Sequence, residues 1–308
     1  MPALITGGTG FLGSRLARRL IAGGEDRLVL VDAFPNMDNV ADLGDVVEVV
    51  RADFSEPNEI LPILRKHDFS HLFHLAYLTS ESDLFPSQAI RINILGTHNL
   101  FDLARQCGIE KVCYPSSAAI YRHRRNSDHL WHEDELPTPS SFYGMCKLAN
   151  EHDAELLYQK HGLKHVGLRL QSVFGEGRGR RRGIPPDIYA RILEQPFRGE
   201  RFVAPKAEAV MSWTYVDDVA EAFFAAAKAD DPPYRVFNVT GEVRTVGDAV
   251  KYVRSLVPDA SLELGADDAV TLPLATGDRI REVLGFSPAF TMERGLSAYL
   301  ETLKKERA

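Results

Sequence analysis

Six short segments that are apolar along most of their length, Ala3–Ile5, Leu28–Val31, Val46–Val50, His71–Leu75, Lys111–Pro115 and Val166–Leu170, alternate with stretches of helical periodicity. Strands covered on both faces lose the in–out alternation of a half-exposed strand, and parallel neighbours need a crossover to bring the chain back. The pattern predicts a doubly wound α/β domain on a parallel sheet, its crossovers right-handed. The crossover helices are read at Phe11–Ala22, near Glu56–Lys66, at Pro86–Cys107 and at Phe142–His161.

After Gly175 the pattern changes. Gly175–Gly183 is rich in glycine and arginine and reads as a loop. A helix near Pro186–Glu194 and an irregular Pro/Gly stretch follow, then helix Val216–Lys228, strand Val236–Val239, and helices at Gly247–Leu256, Arg279–Leu284 and Met292–Lys304. Residues 1–175 are read as a first domain to which 216–240 returns. Residues 176–215 and 241–308 are read as a smaller C-terminal α/β lobe that binds substrate.

Composition narrows the partners. The formal net charge is −7 and no long basic stripe interrupts it, which argues against nucleic acid. Three cysteines, Cys107, Cys113 and Cys146, contain no C-x-x-C pair, so neither a disulfide framework nor a structural zinc site is expected. No apolar run approaches the roughly 20 residues that span a bilayer, and the first strand begins almost at Met1, leaving no room for a signal peptide. A cytoplasmic protein without membrane contact is the expectation.

Thr6-Gly-Gly-Thr-Gly-Phe-Leu-Gly13 joins the first strand to the first helix, with Gly7, Gly10 and Gly13 at three-residue spacing. Glycine serves where the chain turns tightly, where backbone must approach a pyrophosphate, and where helix packs closely on strand. The helix start at Phe11 and Leu12 offers unpaired N–H groups to phosphates. Asp32 ends the second strand about 20 residues further on, where a carboxylate accepts hydrogen bonds from ribose hydroxyls and repels a 2′-phosphate. Together these mark a Rossmann domain that takes NAD in preference to NADP. Asp53 follows the third strand, either at the adenine or as a solvated strand-end carboxylate.

Tyr143-Gly-Met-Cys-Lys147 puts a phenol and an ammonium four residues apart on one helix face. A phenol titrates near 10, and a nearby cation favours its phenolate, so the pair can move a hydroxyl proton while hydride moves to or from nicotinamide. Ser117 lies at the end of Tyr114-Pro-Ser-Ser-Ala-Ala-Ile-Tyr121, at the carboxyl end of a parallel strand where the active crevice is expected. Its hydroxyl either orients a substrate oxygen or satisfies a local turn.

The glycine turn, Asp32, His74-Leu-Ala-Tyr77, the serine strand, Tyr143-x-x-x-Lys147, Leu168-Arg-Leu170, Val216-Asp-Asp-Val219, Phe237-Asn-Val239 and Leu284-Gly-Phe-Ser-Pro288 follow one another along nearly the whole chain. In that order they resemble the extended short-chain dehydrogenases/reductases, the NAD-dependent epimerase/dehydratase family. The resemblance implies a catalytic triad of Ser117, Tyr143 and Lys147. It also implies NAD contacts from Phe54, Leu75, Ala76, Tyr77 and Asn93 beside those already named, Asn93 being either a supporting active-site residue or a helix polar group bonded to a neighbouring loop, and a homodimer through the long helix and the tyrosine helix.

Departures bear on the substrate. The family's nucleotide-sugar enzymes carry an arginine where Met211 stands and an asparagine where Ser172 stands, and a second arginine has no counterpart in 270–277. Arg122 replaces a usual glycine. A buried diphosphate needs compensating cations or donors, so a small sugar or sugar-acid-like substrate fits better. Two basic loops, Arg122–Arg125 and Arg178, Arg180, Arg181 and Arg182, either grip an anionic substrate group, with Ser172 beside it, or face water. His129, Trp131 and His132 read as a lid or surface loop with no metal site, and Trp213 and Phe174 as core or pocket wall. Three readings follow: an NAD-dependent dehydrogenase of a secondary alcohol, a nucleotide-sugar 4-epimerase that retains NAD, and a non-catalytic NAD sensor.

Overall fold

A computed structural model describes residues 1–79, 81–122, 129–178, 188–269 and 273–307. Its strands are β1 Ala3–Thr6, β2 Leu28–Asp32, β3 Val47–Arg51, β4 His71–His74, β5 Lys111–Ser117, β6 Lys164–Leu170, β7 Val173–Phe174, β8 Phe202–Ala204, β9 Val210–Tyr215, β10 Val236–Val239, β11 Glu242–Thr245 and β12 Leu262–Leu264. Seven of them form one parallel sheet in the order β10-β6-β5-β4-β1-β2-β3. The order reverses between β1 and β4, which opens the crevice at the carboxyl ends of the strands where such sheets bind ligands.

The apolar strands are buried from both sides, as their composition requires. Along β1, Leu4 joins Val29, Val31, Leu72, Val112, Leu100 and Phe101 on one face, while Ile5 joins Leu28, Leu30, Leu16, Leu20, Phe73 and Phe223 on the other. Each such side chain contributes about 1.5–3 kcal/mol when fully buried. The second cluster continues into Phe174, Trp213, Tyr215 and Tyr299, so the main sheet and the C-terminal elements share one core.

Beyond Leu170 the chain builds two further sheets that the Pro/Gly-rich stretch conceals: β11-β9-β7 and β12-β8. Their strands run only two to six residues, too few for a clear period of two. The long helix expected at Pro86–Cys107 is helical from Pro86 to Gln106, with Ile90–Gly96 wound as a π-helix between Pro86–Ala89 and Thr97–Gln106. Such wider turns are frequent at functional sites, and this one carries Asn93.

Several motif residues turn out to be ties between distant segments. Asp218 accepts the N–H groups of Ala289 and Phe290 at 2.8 and 3.1 Å, fixing the stretch after Leu284-Gly-Phe-Ser-Pro288 to the helix Val216–Lys228. Arg169 grips Glu151 with two nitrogens at 2.9 and 2.7 Å and donates to Tyr121 Oη at 2.7 Å. Tyr121 in turn donates to Asn238 Oδ1 at 2.9 Å. Bidentate geometry of this kind compensates a buried ion pair. Trp131, expected in a lid or surface loop, is instead buried, stacked on Tyr121 and bridged to Ala275.

Candidate active site

The site is assembled at the crevice from the ends of β1, β4 and β5 and from the helix Phe142–His161. At β1, Gly7 has φ +66°, a conformation glycine adopts without steric cost, and a Cβ there would lie 2.8 Å from the backbone nitrogen of Ala76. A Cβ on Gly13 would lie 2.2 Å from the carbonyl oxygen of Gly7. The third glycine thus lets the helix Phe11–Ala22 sit directly on the turn. That helix has no side-chain cap and no acidic residue in its first turn, so its positive end is left to an anion. At the tip of β2, Asp32 accepts from Thr9 Oγ1 at 2.8 Å and from the Phe34 N–H at 3.2 Å. Glycine cradle, bare helix end and carboxylate are what NAD requires.

Other cofactor candidates divide. Leu75 and Ala76 lie beside the turn, their N–H groups donating to the carbonyl and hydroxyl oxygens of Thr6. Asp53 Oδ1 accepts the N–H and hydroxyl of Ser55 at 2.9 and 2.8 Å, shaping the bend after β3. Phe54 is packed edge-on against His74 and belongs to the core. Asn93 is fully buried and clamps both backbone groups of Leu78 at 2.9 Å. It therefore fixes the loop that follows Tyr77. His74 bridges Thr6 and Thr97 at 2.7 and 3.0 Å, and burial pushes its pKa down to about 3, so it stays neutral.

Tyr143 and Lys147 stand in the first two turns of their helix, which Ser141 caps by accepting the Gly144 N–H at 3.0 Å. Gly144 is a functional residue that the spacing argument missed. A Cβ there would sit 2.3 Å from the Ala119 carbonyl oxygen, so its bare Cα brings the tyrosine turn against the segment after β5. Ser117 Oγ accepts the Ala119 N–H at 3.1 Å, and its hydroxyl is near enough to Tyr143 to lower the phenol's pKa. Of the two readings of this serine, the turn hydroxyl is realised in the bond to Ala119.

The electrostatics differ in one respect from the expected pair. Burial raises the Tyr143 pKa, while the Ser117 hydroxyl and the charge of Arg178 pull it back down. Lys147 is buried and its Nζ donates to the Pro115 carbonyl at 2.6 Å. Burial lowers its pKa to about 7, against the opposing pull of Cys146 and Glu151. Its Nζ lies 5.7 Å from the Tyr143 ring centroid but only 3.3 Å from that of Tyr77. Arg178, read from sequence as one of several loop arginines, is thus a charge that reaches the phenol.

Among the remaining substrate candidates, Arg122 is exposed and Ser172 is buried, its carbonyl accepting the Thr214 N–H at 3.2 Å. Arg180, Arg181, Arg182 and His123–Arg125 lie outside the described residues. Met211 is fully buried in the shared core beside Trp213. No group of three metal-binding side chains occurs among the described residues. No helix there is long and apolar enough to cross a membrane.

The chain is similar to known proteins along its length. It is 26% identical to UDP-glucose 4-epimerase of Corynebacterium glutamicum, over 94% of this chain and 92% of that one. The solved UDP-glucose 4-epimerase of Thermotoga maritima with UDP-glucose superposes with a TM-score of 0.89 at 25% identity, covering all of both chains. The Thermus thermophilus UDP-glucose 4-epimerase in complex with NAD superposes with a TM-score of 0.84 at 25% identity, over 99% of each. The profile described as NAD dependent epimerase/dehydratase family matches residues 3–240. With the glycine cradle and the strand-end carboxylate in place, the chain belongs to the NAD-dependent epimerase/dehydratase family of enzymes.

Proposed function

We propose that this enzyme transfers hydride between a secondary alcohol of a small sugar or sugar-acid-like substrate and nicotinamide, with Ser117, Tyr143 and Lys147 at the reacting atoms. The observation that supports the reading is the packing of the Tyr143–Gly144 turn on Ala119, just past Ser117 at the carboxyl end of β5, with Lys147 one turn further along the same helix. Backbone of Gly7, Gly10, Phe11, Leu12 and Gly13, with Asp32 at the ribose, would hold NAD, which when bound accepts and returns hydride. Tyr143 Oη takes the proton of the substrate hydroxyl as the carbinol carbon gives up its hydride, leaving a ketone. Ser117 Oγ orients the reacting oxygen. Lys147 would hold the nicotinamide ribose and, when protonated, add positive charge to the site. Arg178, whose charge lowers the Tyr143 pKa, is assigned to meet an anionic substrate group, and the lobe of residues 176–215 and 241–308 to hold the rest of that molecule.

A second reading is favoured by the full-length similarity to UDP-glucose 4-epimerases. In it the keto form turns over in the site and hydride returns to its other face, with no net change in NAD. The burial of Met211, an uncharged side chain where a diphosphate-binding arginine is expected, speaks against it. One assay separates the two: excess NAD with sugar acids, free sugars and nucleotide sugars, followed by near-ultraviolet absorbance. NADH accumulating beyond the enzyme concentration supports the dehydrogenase. An epimer formed without NADH replaces it with the second reading, and neither product from any class refutes both.

We further propose a cytoplasmic homodimer. Leu84, Phe85, Ile90, Leu95 and Leu156 are exposed on the helical stretch 81–106 and the adjacent helix Phe142–His161, and a second copy would cover them. Sedimentation at a single monomer mass would refute it.

A further inference from the structure

Lys147 is a buried cation held by an aromatic face. Its Nζ sits 3.3 Å from the centroid of the Tyr77 ring and donates to the Pro115 carbonyl at 2.6 Å. Tyr77 is itself buried, its hydroxyl accepts from Asn150 Nδ2 at 3.3 Å, and its ring meets that of Tyr143 edge to face, 5.8 Å between centroids at 87°. Asn93, by gripping both backbone groups of Leu78, anchors the residue next in the chain. The charged and titratable neighbours of Lys147 lie elsewhere in role. Glu151, one turn on, is committed to Arg169 and Ser116. Cys146 is a neutral thiol whose pKa burial raises. His74 on β4 is a neutral imidazole.

A buried ammonium is destabilised relative to its neutral form unless something favours the charge. A carboxylate would do so, but its negative charge would also oppose ionisation of the neighbouring Tyr143. An aromatic face attracts the cation through its quadrupole without adding net charge. We propose that Tyr77 is a positioning residue that favours the protonated form of Lys147 and holds its Nζ in place by presenting its ring face to it. The proposal rests on the reading that Lys147 serves hydride transfer, although its test does not.

The test is an NMR titration of protein labelled with ¹³C at lysine Cε, the Lys147 resonance being assigned by its loss in Lys147→Met. Tyr77→Phe keeps the ring, and the Lys147 midpoint is expected to stay with that of the wild type. Tyr77→Leu keeps bulk and burial but removes the ring face. Its midpoint is expected to fall by about half a unit to one and a half pH units. A midpoint that stays or rises in Tyr77→Leu overturns the proposal. Should Tyr77→Leu fail to fold, phenylalanines of increasing fluorine content at position 77 preserve the shape while weakening the quadrupole. A stepwise fall of the midpoint along that series supports the assignment, and a flat series overturns it. The titration needs no turnover, so failure of the hydride-transfer reading and failure of this proposal are seen in different experiments.

Discussion

Gly144 touches Ala119 so closely that a Cβ on it would lie 2.3 Å from the Ala119 carbonyl oxygen. The contact seats the first turn of the helix Phe142–His161 on the segment after β5 and so brings Tyr143 to Ser117. Gly144→Ala must push the two apart by a good fraction of an ångström. Misplacement of about 1 Å can cost on the order of 10²-fold in rate, so kcat should fall by that order while NAD binding at the Gly7–Gly13 turn is retained. Steady-state kinetics beside a cofactor titration checks this, and an undiminished kcat would show that the contact does not set the geometry.

Lys147 costs the fold stability in a pH-dependent way. Its folded pKa is about 7 against an ordinary 10.5. Between those values the unfolded chain binds a proton that the folded chain does not. Stability from this group therefore rises with pH across that window, and the cost is present in full below pH 7. At about 1.4 kcal/mol per unit, Lys147→Met should stabilise the protein by on the order of a few kcal/mol at pH 6, and by much less at pH 10. Urea unfolding at both pH values measures the difference, and an equal gain at both would contradict the assignment.

Arg178 offers a test of the phenol's surroundings. Its charge pulls the Tyr143 pKa down against the effect of burial. Without it the phenolate forms at higher pH, so Arg178→Ala should move the rising limb of kcat against pH in the alkaline direction. Arg178→Lys should leave that limb near its original place. Coincident profiles for wild type and Arg178→Ala would remove Arg178 from the site.

Asn93 should prove a positioning residue acting through the loop it clamps. It is fully buried, and its removal leaves the Leu78 N–H without that partner, while the Leu78 carbonyl keeps the Ser82 hydroxyl at 2.8 Å. An N–H so orphaned costs about 1–3 kcal/mol. Asn93→Ala should lower the urea midpoint by a corresponding amount and weaken NAD binding, because Leu75 and Ala76 flank the glycine turn. A variant as stable as the wild type would argue that the loop holds its shape unaided.

What could be read beforehand was local or periodic. The Gly7–Gly13 turn, Asp32 at a strand end and the four-residue step from Tyr143 to Lys147 each fit within one structural element, and the apolar strands of the main sheet need no partner to be visible. What stayed hidden depends on segments far apart in the chain. Trp131 meets Ala275, and nothing within the Trp131 insertion marks it as buried. Gly144 beside Tyr143 could have been noticed as a residue spared a Cβ, but the reason lies in Ala119. Lys147 turns to Tyr77 rather than to the phenol it was matched with, because the loop after β4 passes beneath the helix. Strands such as Phe202–Ala204 and Leu262–Leu264 are three residues long and carry no period to detect.

The most direct measurement of the account is rapid mixing of NAD-loaded protein, wild type and Tyr143→Phe, with every substrate that the wild type turns over, following near-ultraviolet absorbance of reduced nicotinamide. The account expects absorbance to rise within the first turnover of the wild type, and to rise at least about 10²-fold more slowly in Tyr143→Phe, as loss of a proton-transfer group implies, although that variant still binds NAD. Reduction at the wild-type rate in Tyr143→Phe would contradict it, since the substrate proton would then leave by another group.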